Sequence, residues 1–420
     1  MKFKINTSLL VLVIVLFTGC REKKPTDNSQ DEKFLEEQGK AELRKLELLY
    51  SGKEQWEARK SALRVEILKG MNLWPLPEKT PLNAVIKSKR IYDGYSVENV
   101  YFESIPGYYV CGNLYRPLDD SKKHPAVLCP HGHFQGDSLG QFGRFRPDQQ
   151  KRCATFARMG AVVFSYGMFS WGGEPIWQLD TTAVIEKPDK TVIRKNHEAP
   201  LSISLQTWNS VRVLDLLETL PEVDMTRIAI TGASGGGTQS FLLSAIDERV
   251  RVSIPVVMVS CHYKDLCICE MVMPSGHDPE QILNMAEFAA MIAPKPMLLI
   301  SDGDDWTRNT PVVEYPFIRR TYSFYNAEDS VENVHFPDGR HDYGFEKRVP
   351  VYRFLSRHLG MDQSAVTGPD GNVDESKSIL ENPEIMLAFS TGNPFPSNAL
   401  KGYAAIENEL KSLQKSRDEK

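Results

Sequence analysis

Apolar positions along this chain change their period as it proceeds. From Glu32 to Lys69 the residues are mostly Glu, Lys, Arg, Leu and Ala at helical spacing, without a proline. Leu43, Leu46, Leu48 and Leu49, then Trp56, Leu63, Ile67 and Leu68, supply the apolar faces of a helical region that Pro75 and Pro77 end. Tyr92 to Pro117 alternates instead, with β-branched and aromatic residues split by Pro106-Gly107, and predicts antiparallel strands leading into a main sheet. From Pro125 onward, short apolar runs alternate with helical stretches. Strands are expected at 125–129, 161–166, 227–231, 250–259, 296–301 and 331–336, and helices at 149–159, 205–220, 311–325 and 345–359. Apolar strands alternating with helices predict an α/β fold, with a mostly parallel sheet covered on both faces. Two segments interrupt the alternation, Gly167 to Ser204 and Ser260 to Ala290. Both leave carboxyl ends of strands, where open α/β sheets place ligands, so they are candidate pocket walls. After Gly360 the chain is polar and reads as irregular, apart from a helix near Tyr403 to Gln414.

Composition narrows the picture modestly. The 420 residues are 41% hydrophobic and 25% charged, the balance of a globular protein, and the net charge of −5 gives no reason to expect nucleic acid as a partner. The N-terminus changes more. Lys2 and Lys4 precede the apolar run Leu9 to Phe17, and Phe17-Thr18-Gly19-Cys20 follows. That layout is a signal peptide too short to span a bilayer. Gly19-Cys20 resembles a bacterial lipoprotein cleavage box, although Phe17 is unusual at its first position and ordinary secretory cleavage is the alternative. The expected organisation is residues 1–20 as signal peptide with Cys20 as lipidation site, 21–31 as tether, 32–360 as catalytic domain with a helical and β extension in front, and 361–420 as polar tail. The implied location is outside the cytoplasm, periplasmic or on the outer membrane, touching the membrane only through the lipid. Six further cysteines include Cys261-His262 with Cys267-Ile268-Cys269, whose C-x-C spacing fits no standard zinc pattern, so no metal and no cofactor is expected.

The chemistry concentrates at Gly232-Ala233-Ser234-Gly235-Gly236, which lies between the Arg227–Thr231 strand and a helical stretch. With Gly and Ser each at about 7% usage, a bare G-x-S-x-G arises by chance roughly once in ten chains of this length, so the setting must carry the weight. Between strand and helix it is the nucleophile elbow of α/β-hydrolases. A serine needs a base and an acid to orient that base, and in this fold they follow in the order serine, acid, histidine. His341, in the loop after the last strand, is the base by that order. Ser301-Asp302-Gly303-Asp304-Asp305-Trp306 follows the preceding strand and offers Asp305, with Asp304 behind it; Glu270, after the strand that follows the elbow, stays open as the alternative acid. The oxyanion hole draws on the N–H of Gly235 and on Pro130-His131-Gly132-His133, with His133 N–H as second donor.

These stations resemble a bacterial family of α/β-hydrolases described as acetyl-xylan-esterase-like, which also takes in pectin esterases. The resemblance runs from about Trp56 to Leu359. It rests on Gly112-Asn113-Leu114-Tyr115-Arg116-Pro117, Gln206-Thr207-Trp208-Asn209-Ser210, Thr231 to Gly237, Cys267-Ile268-Cys269-Glu270, Ser301 to Thr307 and His341-Asp342-Tyr343-Gly344. It implies Ser234 as nucleophile, His341 as base, a carboxylate of the Asp304–Asp305 pair as acid, and an esterified plant polysaccharide as substrate: an acetyl ester on xylan or pectin, or a uronic acid methyl ester. Tyr166-Gly167-Met168 departs from the family's Tyr-Asp-Met, and the segment Phe169 to Glu174 also differs, which puts that pocket wall in doubt. Arg144, Arg146, Lys151 and Arg152 are candidates for contacting acidic sugars, and Trp171, Trp177 and Trp306 for stacking on sugar rings. Two rivals share the elbow. A serine peptidase of the prolyl-oligopeptidase kind needs a propeller domain, and the roughly ninety residues ahead of the sheet are too few for one. A non-catalytic glycan-binding protein would carry a degenerate triad, and none of the expected residues is missing.

Overall fold

The computed structural model describes residues 29–119, 121–134, 136, 138–169, 171, 174–179, 201–262, 270–272 and 282–418. The leader with Cys20, and Cys267 and Cys269, lie outside them. Nine strands among the described residues form one sheet: β1 (Val85–Tyr92), β2 (Tyr95–Ile105), β3 (Tyr108–Pro117), β4 (His124–Leu128), β5 (Val162–Tyr166), β6 (Val223–Ala233), β7 (Val252–Val256), β8 (Met297–Asp304) and β9 (Val331–Arg340), in the order β1-β2-β3-β5-β4-β6-β7-β8-β9. β1 to β3 pair antiparallel, β3 pairs antiparallel with β5, and β5, β4, β6, β7, β8 and β9 run parallel. The helices are α1 (Ser29–Glu47), α2 (Lys53–Gly70), α3 (Pro147–Arg158), α4 (Glu174–Leu179), α5 (Leu201–Glu218), α6 (Gly235–Ile246), α7 (Met285–Ala290), α8 (Glu314–Ser323), α9 (Phe345–Leu359), α10 (Pro383–Met386) and α11 (Tyr403–Asp418). This is the α/β-hydrolase arrangement.

Alternation along the strands explains the two layers of helix. Ala126 and Leu128 of β4, Ile228 and Ile230 of β6 and Leu299 of β8 join one core with Trp56, Trp208 and Phe241. Val127 of β4, Ala229 of β6, and Leu298 and Ile300 of β8 point the other way, into a core with Phe156, Tyr352 and Phe354. With both faces buried, the strands read as continuous apolar runs.

Three elements differ from expectation. The helical region over 32–69 is two helices, because Ser51 and Gly52 break it: Ser51 N–H bonds Gln55 Oε1 at 2.7 Å and Tyr50 folds its ring onto Trp56, 4.9 Å away. β1 was not anticipated: it is a half-exposed edge strand of mixed polarity, with an irregularity between Lys87 and Arg90 and Ser88 at φ 57°. The strand expected over 250–259 stops at Val256, because Val257 takes φ 45°, a conformation costly for a β-branched residue.

The polar tail also packs back onto the body. Met386, Leu387, Ala388 and Phe389 are buried near β2 and β3, and Ile406 and Leu410 of α11 enter the first core. No helix among the described residues is long and apolar enough to cross a membrane.

Candidate active site

β6 runs into Ser234 at φ 55°, ψ −126°, and α6 begins at the next residue. Such a backbone costs of order 1–3 kcal/mol for a side-chain-bearing residue and persists only where surroundings enforce it. Here Ser234 N–H bonds Val256 O at 3.1 Å and Ser234 O accepts from Thr238 N–H at 3.0 Å, so β7 and the first helical turn hold the strained residue from both sides. The flanking glycines are required by contact. A Cβ on Gly232 would sit 2.4 Å from Pro130 O, and one on Gly235 would sit 2.4 Å from His133 Cε1 and 2.7 Å from Glu270 Oε1. The oxyanion loop is therefore pressed against the elbow, and the N-terminal N–H groups of α6 open beside it.

His341 follows β9, and Asp305 follows β8. Their Nδ1 and Oδ2 atoms are 3.2 Å apart, and Asp305 also accepts from Trp306 N–H at 2.7 Å and from the Thr307 hydroxyl at 3.0 Å. The Asp305 side chain is 1% exposed and that of His341 is 25% exposed, so the carboxylate is desolvated while the imidazole reaches solvent. The His341 ring lies between Trp306 (4.1 Å between centroids) and Phe134 (5.7 Å). Two residues on, the Tyr343 hydroxyl meets Thr231 Oγ1 at 2.7 Å, tying the histidine loop to the elbow strand.

Glu270, the alternative acid, is placed elsewhere: its Oε1 lies 2.8 Å from His133 Nδ1, and both side chains are buried. His133 Nε2 faces Gln206 Oε1 at 3.4 Å. Burial lowers the His131 pKa to about 3, which keeps that ring neutral. Its partners fix the tautomer, because Nε2 accepts from Met168 N–H at 3.0 Å, leaving Nδ1 to donate to Gly132 O at 2.9 Å.

Several candidate substrate contacts are corrected. Arg144 is buried: its guanidinium donates to both Glu174 oxygens (2.8 and 2.9 Å) and to Asn113 Oδ1 (2.9 Å), so it does not face a substrate. Arg152 is buried over the Tyr343 ring, and Lys151 Nζ donates to the tail carbonyls of Glu375 and Ser378. Trp171 is buried, its ring 4.6 Å from that of His133 and its N–H on Phe134 O at 3.2 Å, and so it supports the oxyanion loop. Trp306, by contrast, stands beside His341, partly exposed. A Cβ on Gly167 would lie 2.8 Å from Pro175 Cγ, so a side chain at this position would have to displace that ring.

Lys347 was not anticipated. Its ammonium lies 2.6 Å from Asp302 Oδ2 and 2.6 Å from Asp342 Oδ1, and it donates to Arg340 O. Burial pushes the Asp302 carboxyl up to about 6, against the pull of Lys347. A lysine in the first turn of a helix opposes the helix dipole, and that misplacement was the available signal.

A family model for fungal glucuronyl esterases matches residues 192–261. The chain is similar to the solved structure of methylesterase BT1017, with 35% identity and a TM-score of 0.78, covering 91% of this chain and 81% of that one. A glucuronoyl esterase from Solibacter usitatus (14% identity, TM-score 0.51, 74% and 94% covered) and one from Teredinibacter turnerae (13%, 0.51, 73% and 86%) share the fold. No curated protein sequence matches. Given a relative 35% identical over most of both chains, together with the glucuronyl esterase match across the elbow, the chain belongs to the acetyl-xylan-esterase-like family of α/β-hydrolases and is a carbohydrate esterase.

Proposed function

We propose that this esterase works through a serine acyl-enzyme, with the methyl ester of a uronic acid in a plant polysaccharide as substrate. The observation that carries the mechanism is the enforced Ser234 turn, with the His341–Asp305 pair following β9 and β8 of the same parallel sheet edge. Ser234 Oγ attacks the ester carbonyl carbon while its proton passes to His341 Nε2. Asp305 holds Nδ1–H and offsets the imidazolium charge. The N–H groups of Gly235 and His133 receive the oxyanion, a contribution of several kcal/mol in comparable sites. The intermediate collapses, the alkoxide leaves with the proton from His341 as methanol, and water repeats the sequence to free the acid. The ester type is supported by the 35% identity to a protein named a methylesterase.

The test is methanol and acetate release from methyl-esterified and acetylated pectin and xylan oligosaccharides. Methanol is the expected product, falling at least about 10³-fold in Ser234→Ala, because removing any member of such a triad leaves only residual catalysis. Acetate as the main product would reassign the ester; turnover unchanged in Ser234→Ala would reject the mechanism. On the leader's layout, we also propose export with a lipid on Cys20. Labelled palmitate should enter the wild-type chain and not Cys20→Ser; equal labelling of both would refute it.

A further inference from the structure

About the loop that leaves β7, the described residues bring together three groups of different chemistry. Ligand atoms of Cys261, His262 and Glu314 all lie within 4.8 Å of one another, and all three residues are buried. Cys261 and His262 follow β7, whereas Glu314 opens α8. Helix α1 covers the place closely: a Cβ on Gly39 would fall 2.6 Å from Cys261 O and 2.9 Å from its Sγ.

Glu314 is the observation that asks for a ligand. It is fully buried, and Oε1 accepts from Cys261 N–H at 2.8 Å. The Cys261 thiol also bonds the carboxylate, Oε2 has no further partner among the described residues, and no lysine or arginine pairs with it there. A buried carboxylate without a cation is costly unless it is protonated or a metal neutralises it. Burial, with the neighbouring carboxylate, pushes the Cys261 thiol up, and burial raises the Glu314 carboxyl as well.

We propose that Cys261 Sγ, His262 and Glu314 Oε2 bind a zinc ion. Thiolate, carboxylate and neutral imidazole are zinc's preferred donors, and their combined charge of −2 balances the ion. Bond lengths of about 2.0–2.3 Å set ligand separations of roughly 3.3–3.8 Å, so atoms that lie within 4.8 Å of one another need to close by at most about 1.5 Å. Binding requires Cys261 as the thiolate, so the thiol proton is released, and a fourth position is left for water. Ser260 Oγ, 3.0 Å from His262 Nδ1, orients the ring in the way outer-shell partners of metal-bound histidines do, which assigns Nε2 to the metal. The ion would fasten the start of the loop after β7 to α8, beneath α1, apart from the Ser234 chemistry.

The experiment measures metal content of protein purified without chelator or metal-affinity tag. About one equivalent of zinc is expected in wild type and in Ser234→Ala, falling below about a tenth in Cys261→Ser and in Glu314→Gln. Cobalt added to the stripped wild type should produce a thiolate-to-cobalt charge-transfer band that Cys261→Ser lacks. Wild type that neither carries zinc nor gives the band would overturn the site. So would zinc retained in both variants. Because Ser234→Ala is expected to keep its zinc, failure of the site and failure of the hydrolytic reading are told apart.

Discussion

Lys347 acts on the reaction without touching it. Its ammonium joins Asp302, near the end of the strand that leads to Asp305, to the backbone and side chain on either side of His341. The two parts of the acid–base pair come from different strands, and their 3.2 Å separation depends on the register of the loops beyond β8 and β9. Replacing Lys347 with Met keeps the bulk of the stem and removes the charge, which leaves Asp302 buried without its cation and frees the His341 loop. Kcat is expected to fall by about 10–100-fold, because a displacement of the order of 1 Å in a catalytic group carries a penalty of that size. KM should change less than about threefold, since Lys347 is buried with its ammonium held by Asp302 and Asp342, and Lys347→Arg should recover part of the rate. Equal loss in KM and kcat, or no loss at all, would remove Lys347 from this role. Ester turnover at saturating and limiting substrate, with circular dichroism to verify folding, makes the measurement.

At the scale of elements, the sequence was legible wherever burial was two-sided. β4 to β8 read by their apolar runs because both of their faces pack against helices, and α9 read from Phe345 to Leu359 because its apolar positions keep one period. The elbow was legible for a different reason: close contacts at Gly232 and Gly235 permit almost nothing but glycine, so backbone geometry is written directly into residue type. Legibility failed where tertiary contact decides. Nothing local in Lys87 to Arg90 signals a strand, since β1 is fixed by pairing with β2 and by the bidentate grip of Arg90 on Glu381, 291 positions away. Arg144 read as a surface cation because its partners, Asn113 and Glu174, lie about thirty positions to either side. The same limit applied to Glu270. Its position in the chain was compatible with the acid's place, and only the folded loop shows it against His133 instead of His341.

The whole molecule depends on a segment that composition marked as peripheral. Beyond Gly360 the chain returns along the body and supplies partners for buried or half-buried charges: Glu375 for Arg348, Glu381 for Arg90, and the Ala388 N–H for Glu174, which holds Arg144. Phe389 then packs among Tyr101, Tyr109 and Phe395, with ring centroids 4.2–5.8 Å from its own. Polar composition is what such a strap needs, because its work is to satisfy charges at the rim of the sheet while a few apolar anchors hold it down. Truncation after Gly360 would expose those anchors' sockets and strand Arg348 and Arg90, each left without its carboxylate at a cost of about 1–3 kcal/mol. The truncated chain should therefore lose about 10 °C or more in Tm or fail to accumulate folded, at roughly 1 °C for each kcal/mol in a chain of this length. Glu381→Gln, which removes one charge and leaves the strap in place, should lower Tm by only about 1–3 °C on the same reasoning. Calorimetry of the two variants beside wild type checks the argument. If truncation and the single substitution shift Tm alike, the strap contributes one ion pair and not a face of the fold; if neither shifts it by more than about 2 °C, the tail lies on the surface and its contacts carry no stability.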